Sequence, residues 1–465
     1  MGAEKYTLGI DIGSSFIKAA VFSSQQTRML WKVAIPAQEK MPNANPHIFE
    51  LDANQLFETI KGLVNEAAAC YPIEGLLLST QMHGFVYRTP DRPDVYVSWQ
   101  DARCTDVMPG TNQTWLDYLK SIISSEDIEP GGVPLKPSLA LSNLFVMIHS
   151  GQKIAENGEL FTLGSYINTR LGGSNRCHLS NAGPLGLVDV PSRDWNWKLI
   201  KKLGFERIVF PDLAQHDFQS CGQLEINGHQ VQLYPDFGDQ QVSVLGAMAE
   251  ASNVVINIAT AGQISCYASE FRPGEYEIRP YFEDTFINTI SNMPAGRNLA
   301  VLTDFLEECA LVLCGERLST QEVWDKINRQ FQNEKRGLKA DILIYPTSGK
   351  FDGGGIAGIM PDNLTINGLF TAAYEHTASI YEEAIGQLLK GERPVGLTFS
   401  GGVSWKNPVL IDMVAKRMGL PYKKSVLPNE AFNGLFRLSL AATGEIKILK
   451  DQPERILSVN EEEEK

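Results

Sequence analysis

Asp236-Phe237-Gly238 is followed at once by Asp239, Gln240 and Gln241. Two carboxylates beside a glycine could hold Mg²⁺ or take a proton from a hydroxyl group. An Asp-Phe-Gly triplet marks the magnesium loop of protein kinases, where a Gly-rich loop, a strand lysine and His-Arg-Asp all precede it. This chain has no His-Arg-Asp, and its G-x-G-x-x-G match, Gly353 to Gly358, lies downstream of the triplet. That order excludes a protein kinase. The same glycines fail as a dinucleotide fingerprint, because Pro361 stands where the helix would run. GxxxxGK[ST] is also absent, since Gly349-Lys350 is followed by Phe351.

A further acid, Asp11, precedes Gly13-Ser14-Ser15. A Gly-Ser-Ser turn between strands aims several N–H groups at one point and favours an anion. An aspartate there would repel phosphate unless a cation lay between them, and Mg²⁺ held through water resolves the conflict. A plain hairpin turn with an Asp cap fits the same residues. Thr260-Ala261-Gly262 offers a second turn with a hydroxyl, and Gly401-Gly402, between a strand and a helix, permits close backbone approach to a ligand. Met82-His83 supplies a pliable apolar wall beside a neutral hydrogen-bonding ring. Asp101 and Arg103 suit either a polar substrate or a structural ion pair.

Positioning these groups requires strands that end in turns. YTLGIDIGSSFIKAAVFS reads as two strands joined by a tight turn, and WKVAIPA as a third. ANQLFETIKGLVNEAAA is helical, with Leu56, Ile60, Leu63, Val64 and Ala67 on one face, and IEGLLLSTQ returns to strand. VVINIATAGQISCYAS repeats the strand-turn-strand opening further on, so the chain reads as two related α/β halves facing each other. Helices (LAVLTDFLEECALVL, TAAYEHTASIYEEAIGQLL) and the strand-turn-helix VGLTFSGGVSWKNPVLIDMVAKRMG complete the second half. The expected division is 1–248, 249–447 and an acidic tail at 448–465.

At 465 residues the chain is too long for one ordinary core. Its 43% hydrophobic and 21% charged residues describe a globular protein. The net charge of −14 argues against nucleic-acid or anionic-membrane partners. No secretory signal or long apolar run is visible, and the myristoylation pattern fails at Tyr6. Seven scattered cysteines without CxxC suit free thiols in a reducing cytoplasm.

Taken in order, the segments resemble the FGGY family of carbohydrate kinases, over about Tyr6 to Gly444. GIDIGSSFIKAAVF is similar to that family's first phosphate loop, and STQMHGFV with SWQDAR to its sugar-side segments. GDQQVSVLGA resembles the catalytic turn, ATAG the second phosphate loop, FSGGVSWKNPVL the adenosine loop, and GGGIAGIMPDN…LFTAAYE the second family signature with Gly368 off-pattern. The resemblance implies two duplicated actin-like domains of the ribonuclease H-like ASKHA superfold, α/β in class, with a cleft between them. It implies transfer of the γ-phosphate of ATP to a sugar hydroxyl, with Mg²⁺. Asp239 matches the catalytic base, and Asp11 with Asp239 the metal ligands. Gly13, Ser14, Ser15, Lys18, Thr260, Ala261, Gly262, Gly401, Gly402 and Asn407 match the ATP side. Met82, His83, Asp239, Gln240, Asp101 and Asn181 match the sugar side. Asp236-Phe237-Gly238 then becomes a coincidence, with Asp236 ending a strand.

Met-His is the ketopentose-kinase pair, whereas Gln240-Gln241 leans to the glycerol kinase pattern. SWQDARC, FPDLAQ and VINIATAGQIS resemble the sedoheptulokinase subgroup, which makes sedoheptulose the expected acceptor, with D-xylulose, gluconate, glycerol or another polyol as alternatives. Departures from the family pattern are Asn143 and Val146, Ser165-Tyr166 and Ala259-Thr260-Ala261-Gly262. A catalytically weak sugar- or nucleotide-binding sensor and a sugar-independent actin- or chaperone-type ATPase are the competing classes. The expected partners are the small-molecule sugar and ATP, and the chain is compatible with a homodimer.

Overall fold

The computed structural model describes residues 4–151, 157–247, 253–332, 337–345, 353–390, 394–425, 427, 429–449 and 457. The expected boundary at 248/249 and most of the acidic tail lie outside the described residues.

In the first half, β1 (Tyr6–Ile12), β2 (Phe16–Ser23) and β3 (Met29–Pro36) run antiparallel in sequence, and β1 also pairs parallel with β4 (Ile73–Thr80). The β1 and β2 runs are apolar at nearly every position because both sheet faces are covered, so almost all their residues are buried. The hairpin β5 (Gly222–Ile226) and β6 (His229–Leu233) extends the far edge, and β7 (Phe237–Gly238) pairs with the end of β4. Asp236 therefore precedes this short strand instead of ending one. Its buried carboxylate accepts from Gly164 N at 3.3 Å and from Asn181 Nδ2, an engagement that fixes the approach to the turn.

The second half repeats the order. β8 (Asn253–Ile258) and β9 (Gly262–Ala268) form an antiparallel hairpin, with β10 (Glu277–Pro280) and β11 (Phe286–Met293) beyond it. β12 (Gly396–Ser400) pairs parallel with β8, and β13 (Tyr422–Lys424) parallel with β12. The order β3-β2-β1-β4 thus recurs as β11-β9-β8-β12 with the same strand directions, which is the duplication expected from the repeated strand-turn-strand.

Helices cover the sheets. α1 (Ala53–Cys70) is capped by Asp52, whose side chain accepts from Asn54 N and Gln55 N, and it buries Leu56, Ile60, Leu63, Val64 and Ala67 as the periodicity predicts. α2 (Asp239–Gly246) and α3 (Glu430–Ala442) lie together on the opposite face of the first sheet, with Phe22, Leu77, Phe237, Val242, Leu435 and Phe436 in one core. The two helices approach closely through glycines. A Cβ on Gly246 would be driven into the Glu430 carbonyl, and one on Gly434 into the Val242 carbonyl. A helix that follows the second sheet in sequence therefore completes the core of the first sheet.

Candidate active site

Asp239 is the first residue of α2, reached through the bend at Gly238, and its Oδ1 accepts from Gln240 N at 2.8 Å. Its partly exposed carboxyl stands in a cleft and is pushed up to about 7, chiefly by desolvation and then by the charge of Asp11. Asp11, near the end of β1, is buried, accepts from Ser79 Oγ at 2.8 Å, and is likewise raised by burial. Lys18 faces it across the β1–β2 ladder and opposes that rise. Two desolvated carboxylates within reach of each other's field have hard oxygen donors that fit Mg²⁺. Among the described residues no group of three or more His, Cys, Asp or Glu could hold a metal. An Mg²⁺ on these two carboxylates would need water or ligand oxygens for the rest of its shell.

The expected phosphate turns are both open. Gly13 N donates to Phe16 O at 3.1 Å, which closes the β1–β2 turn and leaves Ser14 and Ser15 exposed at its tip. In the second turn the carbonyls of Ala259 and Thr260 accept from Gly296 N and Arg297 N, each at 3.0 Å, so they are turned away and the Thr260 side stays exposed. Ala261 is half-buried, and Gly262 opens β9. Gly401 adopts φ +85°, where a side chain would also press on Ile258 O at 2.7 Å. Its N–H donates to Glu430 Oε1 at 3.0 Å, and Gly402 beside it is exposed with open space where a side chain would stand. Asn407 is engaged inside the fold: its amide donates to Tyr374 Oη at 2.9 Å and its carbonyl caps the helix Pro408–Met418.

On the sugar side a cavity of about 680 Å³ is walled by Met82, His83, Trp99, Asp239, Gln240 and Arg279 and reaches Asn257 and Ser400 of the second sheet. His83 sits at φ +67°, an unusual backbone for a non-glycine residue, with Nδ1 2.8 Å from Pro184 O. Burial and the cations Lys136 and Arg279 hold its ring well below the usual histidine range. A neutral ring facing a carbonyl through Nδ1 must donate there, which leaves Nε2 as an acceptor.

Asp101 also borders the cavity, yet its carboxylate is occupied by Arg103 Nε and Nη2, at 2.8 and 2.7 Å, and by Phe49 N at 2.7 Å. That is the ion-pair alternative. Asn143 donates to Asp101 O and Pro137 O, each at 2.9 Å, and so clamps the loop carrying Asp101. Asn181 turns inward to Thr80 Oγ1 at 2.5 Å and to Asp236.

Sequence reasoning missed the seam between the halves. Gln240 Nε2 donates to Ser265 Oγ and Thr289 Oγ1, each at 3.0 Å, while its carbonyl accepts from Arg279 Nη1. Arg279 pairs with Glu277 at 2.5 Å, and Glu277 also takes Lys136 Nζ at 2.6 Å. The available signal was Glu277-Ile278-Arg279, where two charges alternate on one face of an otherwise buried strand. A second missed chain runs from Asp217 to His178 at 3.0 Å, from His178 to Ser180 Oγ at 2.7 Å, and from Ser180 Oγ to Gly238 N at 3.1 Å. It has the residue types of a hydrolytic triad, but Ser180 and His178 are fully buried, so it braces the turn that presents Asp239.

Residues 6–246 match the model of the FGGY family of carbohydrate kinases, N-terminal domain. The chain is 24% identical to a sedoheptulokinase of Mus musculus over 394 residues, which covers 75% of this chain and 78% of the relative. It is 21% identical to a xylulose kinase of Bacillus subtilis (strain 168), covering 63% of this chain and 61% of that one. In structure it is similar to gluconate kinase from Lactobacillus acidophilus, with TM-score 0.82, 14% identity, and 99% and 93% of the two chains covered. Plasmodium falciparum glycerol kinase with ADP gives TM-score 0.82 at 13% identity, with 98% and 93% covered. At these identities the solved structures establish the fold.

Proposed function

Because the chain belongs to the FGGY family of carbohydrate kinases, we propose that it transfers the γ-phosphoryl group of ATP to a ketose hydroxyl, with sedoheptulose as the acceptor. The observation that carries this reading is the meeting of Asp239, His83 and Gln240 at one cleft between two duplicated halves, with the buried Asp11 near enough for its charge to act on Asp239. Asp239 accepts the hydroxyl proton, a role its raised pKa suits at neutral pH. Mg²⁺, held by Asp11 and Asp239, would neutralise charge on the transferring phosphoryl group. The exposed Ser14–Ser15 tip, Thr260 and Gly402 offer hydroxyl and N–H groups to the phosphates and nucleotide. His83 Nε2 orients the acceptor by taking a hydrogen bond from one of its hydroxyls.

The seven-carbon ketose is preferred on the relatives named sedoheptulokinase. None of the seven cysteines is in a disulfide, which supports action in a reducing cytoplasm. The test is ADP release measured with a panel of ketoses, polyols and sugar acids. Release that depends on a ketose, with the highest kcat/KM for sedoheptulose, supports the reading. Sugar binding without turnover would point to a sensor, and sugar-independent turnover to an ATPase.

A further inference from the structure

The cavity beside Asp239 does not end at the ion pair between the halves. A second cavity of about 1050 Å³ adjoins it, and the two share Lys136, Pro137, Ser138, Ser291 and Asn292 as walls. Lys136 thus stands at the junction, with its ammonium 2.6 Å from Glu277 Oε1 and its side chain 22% exposed. Glu277 accepts one of three ammonium N–H groups, so Lys136 keeps donors for a ligand lying between the two cavities. Gln240, Arg279, Glu277 and Lys136 form an unbroken line of contacts leading from the residue after Asp239 to this junction.

We propose that Lys136 is a specificity-determining residue for acceptor chain length. Its ammonium takes the hydroxyls at the far end of a seven-carbon ketose whose reacting hydroxyl lies at Asp239, and a five-carbon ketose falls short of it. The inference rests on the ketose-kinase reading above. Neutral hydroxyls suit the junction better than a carboxylate does. The cations Lys136 and Arg279 are paired with Glu277, Arg279 also acts on Asp239, and Glu129 and Glu275 border the second cavity, while Asp101 is spent on Arg103. An anionic sugar would meet a site with no positive excess.

The experiment compares sedoheptulose with D-xylulose in the full chain and in Lys136→Met and Lys136→Arg. The unmodified chain should have a KM about 10–100-fold lower for sedoheptulose, the scale of a charge-assisted hydrogen bond. Lys136→Met should raise the sedoheptulose KM by a similar factor with kcat within about twofold, leave the D-xylulose KM unchanged, and be rescued in Lys136→Arg. Equal KM values for the two ketoses in the unmodified chain overturn the inference without recourse to any variant. So does an equal effect of Lys136→Met on both sugars, or a sugar acid that outcompetes the ketoses and loses its advantage in Lys136→Met. Absence of ketose-dependent ADP release from the unmodified chain is a different result, which removes the kinase reading and this inference together.

Discussion

Asp239 is held in a setting that disfavours its own charge, and that setting makes it both a usable base and a source of instability. Asp239→Asn should lower turnover by roughly 10²–10⁴-fold while sugar and ATP affinities are largely kept. Asp236→Asn should instead keep kcat within about tenfold and lower the melting temperature, because that carboxylate is sealed against Asn181 and Gly164. Steady-state kinetics and thermal unfolding of the pair separate the roles, and an inactive Asp236→Asn beside an active Asp239→Asn would reverse the assignment. The pH dependence has a definite sign. Asp239 is raised to about 7 when folded and lies near ~4 when unfolded. Its contribution to stability is therefore full below about pH 4 and lost as pH rises through 7. Asp239→Asn should then melt higher than the unmodified chain at pH 8. Activity runs the other way: kcat/KM falls below about pH 7 as the base is protonated, and the limb of kcat lies lower because a bound cation favours the carboxylate. At this scale Asp239 and Asp11 could be singled out as candidates because each sits in a motif with neighbours of known chemistry. Lys136 was not, because its partner Glu277 is 141 residues away and neither residue carries a local pattern that names the other.

Among the elements, the contact between α2 and α3 has the least room for change. Gly246→Ala should destabilise the protein by about 1–3 kcal/mol, since the added methyl meets the Glu430 carbonyl and one helix must move. A melting temperature lowered by a few degrees, with a parallel rise in KM for ATP, is the expected result. The ATP term follows because Glu430 also binds Gly401 N at 3.0 Å and Ser425 Oγ at 2.8 Å, so shifting its backbone disturbs the glycine turn of the nucleotide side. The hairpins, α1 and the strand-turn-helix could be read from apolar runs, caps and 3.6-residue periodicity. The partner of α3 could not. Its apolar face announces burial, but nothing in residues 430–442 says that the sheet it covers begins at Tyr6.

For the whole molecule, the seam between the halves is polar beside the cleft, where Gln240 meets Ser265 and Thr289 and Lys136 meets Glu277, and apolar behind it, where Val255, Ile287 and α3 share a core with Phe22 and Val242. The polar contacts can part and re-form while the apolar side stays joined, which permits the halves to open and close about that core. Small-angle scattering should show a smaller radius of gyration with sugar and a non-hydrolysable ATP analogue together than with neither, and an unchanged radius would count against closure about the cleft. The duplication itself was visible as two strand-turn-strand openings, whereas the charged line across the seam exists only once the two halves meet.

The placement of α3 bears on how the protein is made. Residues 430–442 leave the ribosome long after the first sheet, yet they supply Phe432, Leu435 and Phe436 to the core against Phe22 and Phe237. Until they arrive, the face of the first sheet beneath Asp239 and α2 stays wet, and Gly401 lacks the carboxylate that holds its N–H. A nascent chain should therefore stay inert until this helix docks, and a chain truncated before residue 430 would present an apolar sheet for chaperones to hold.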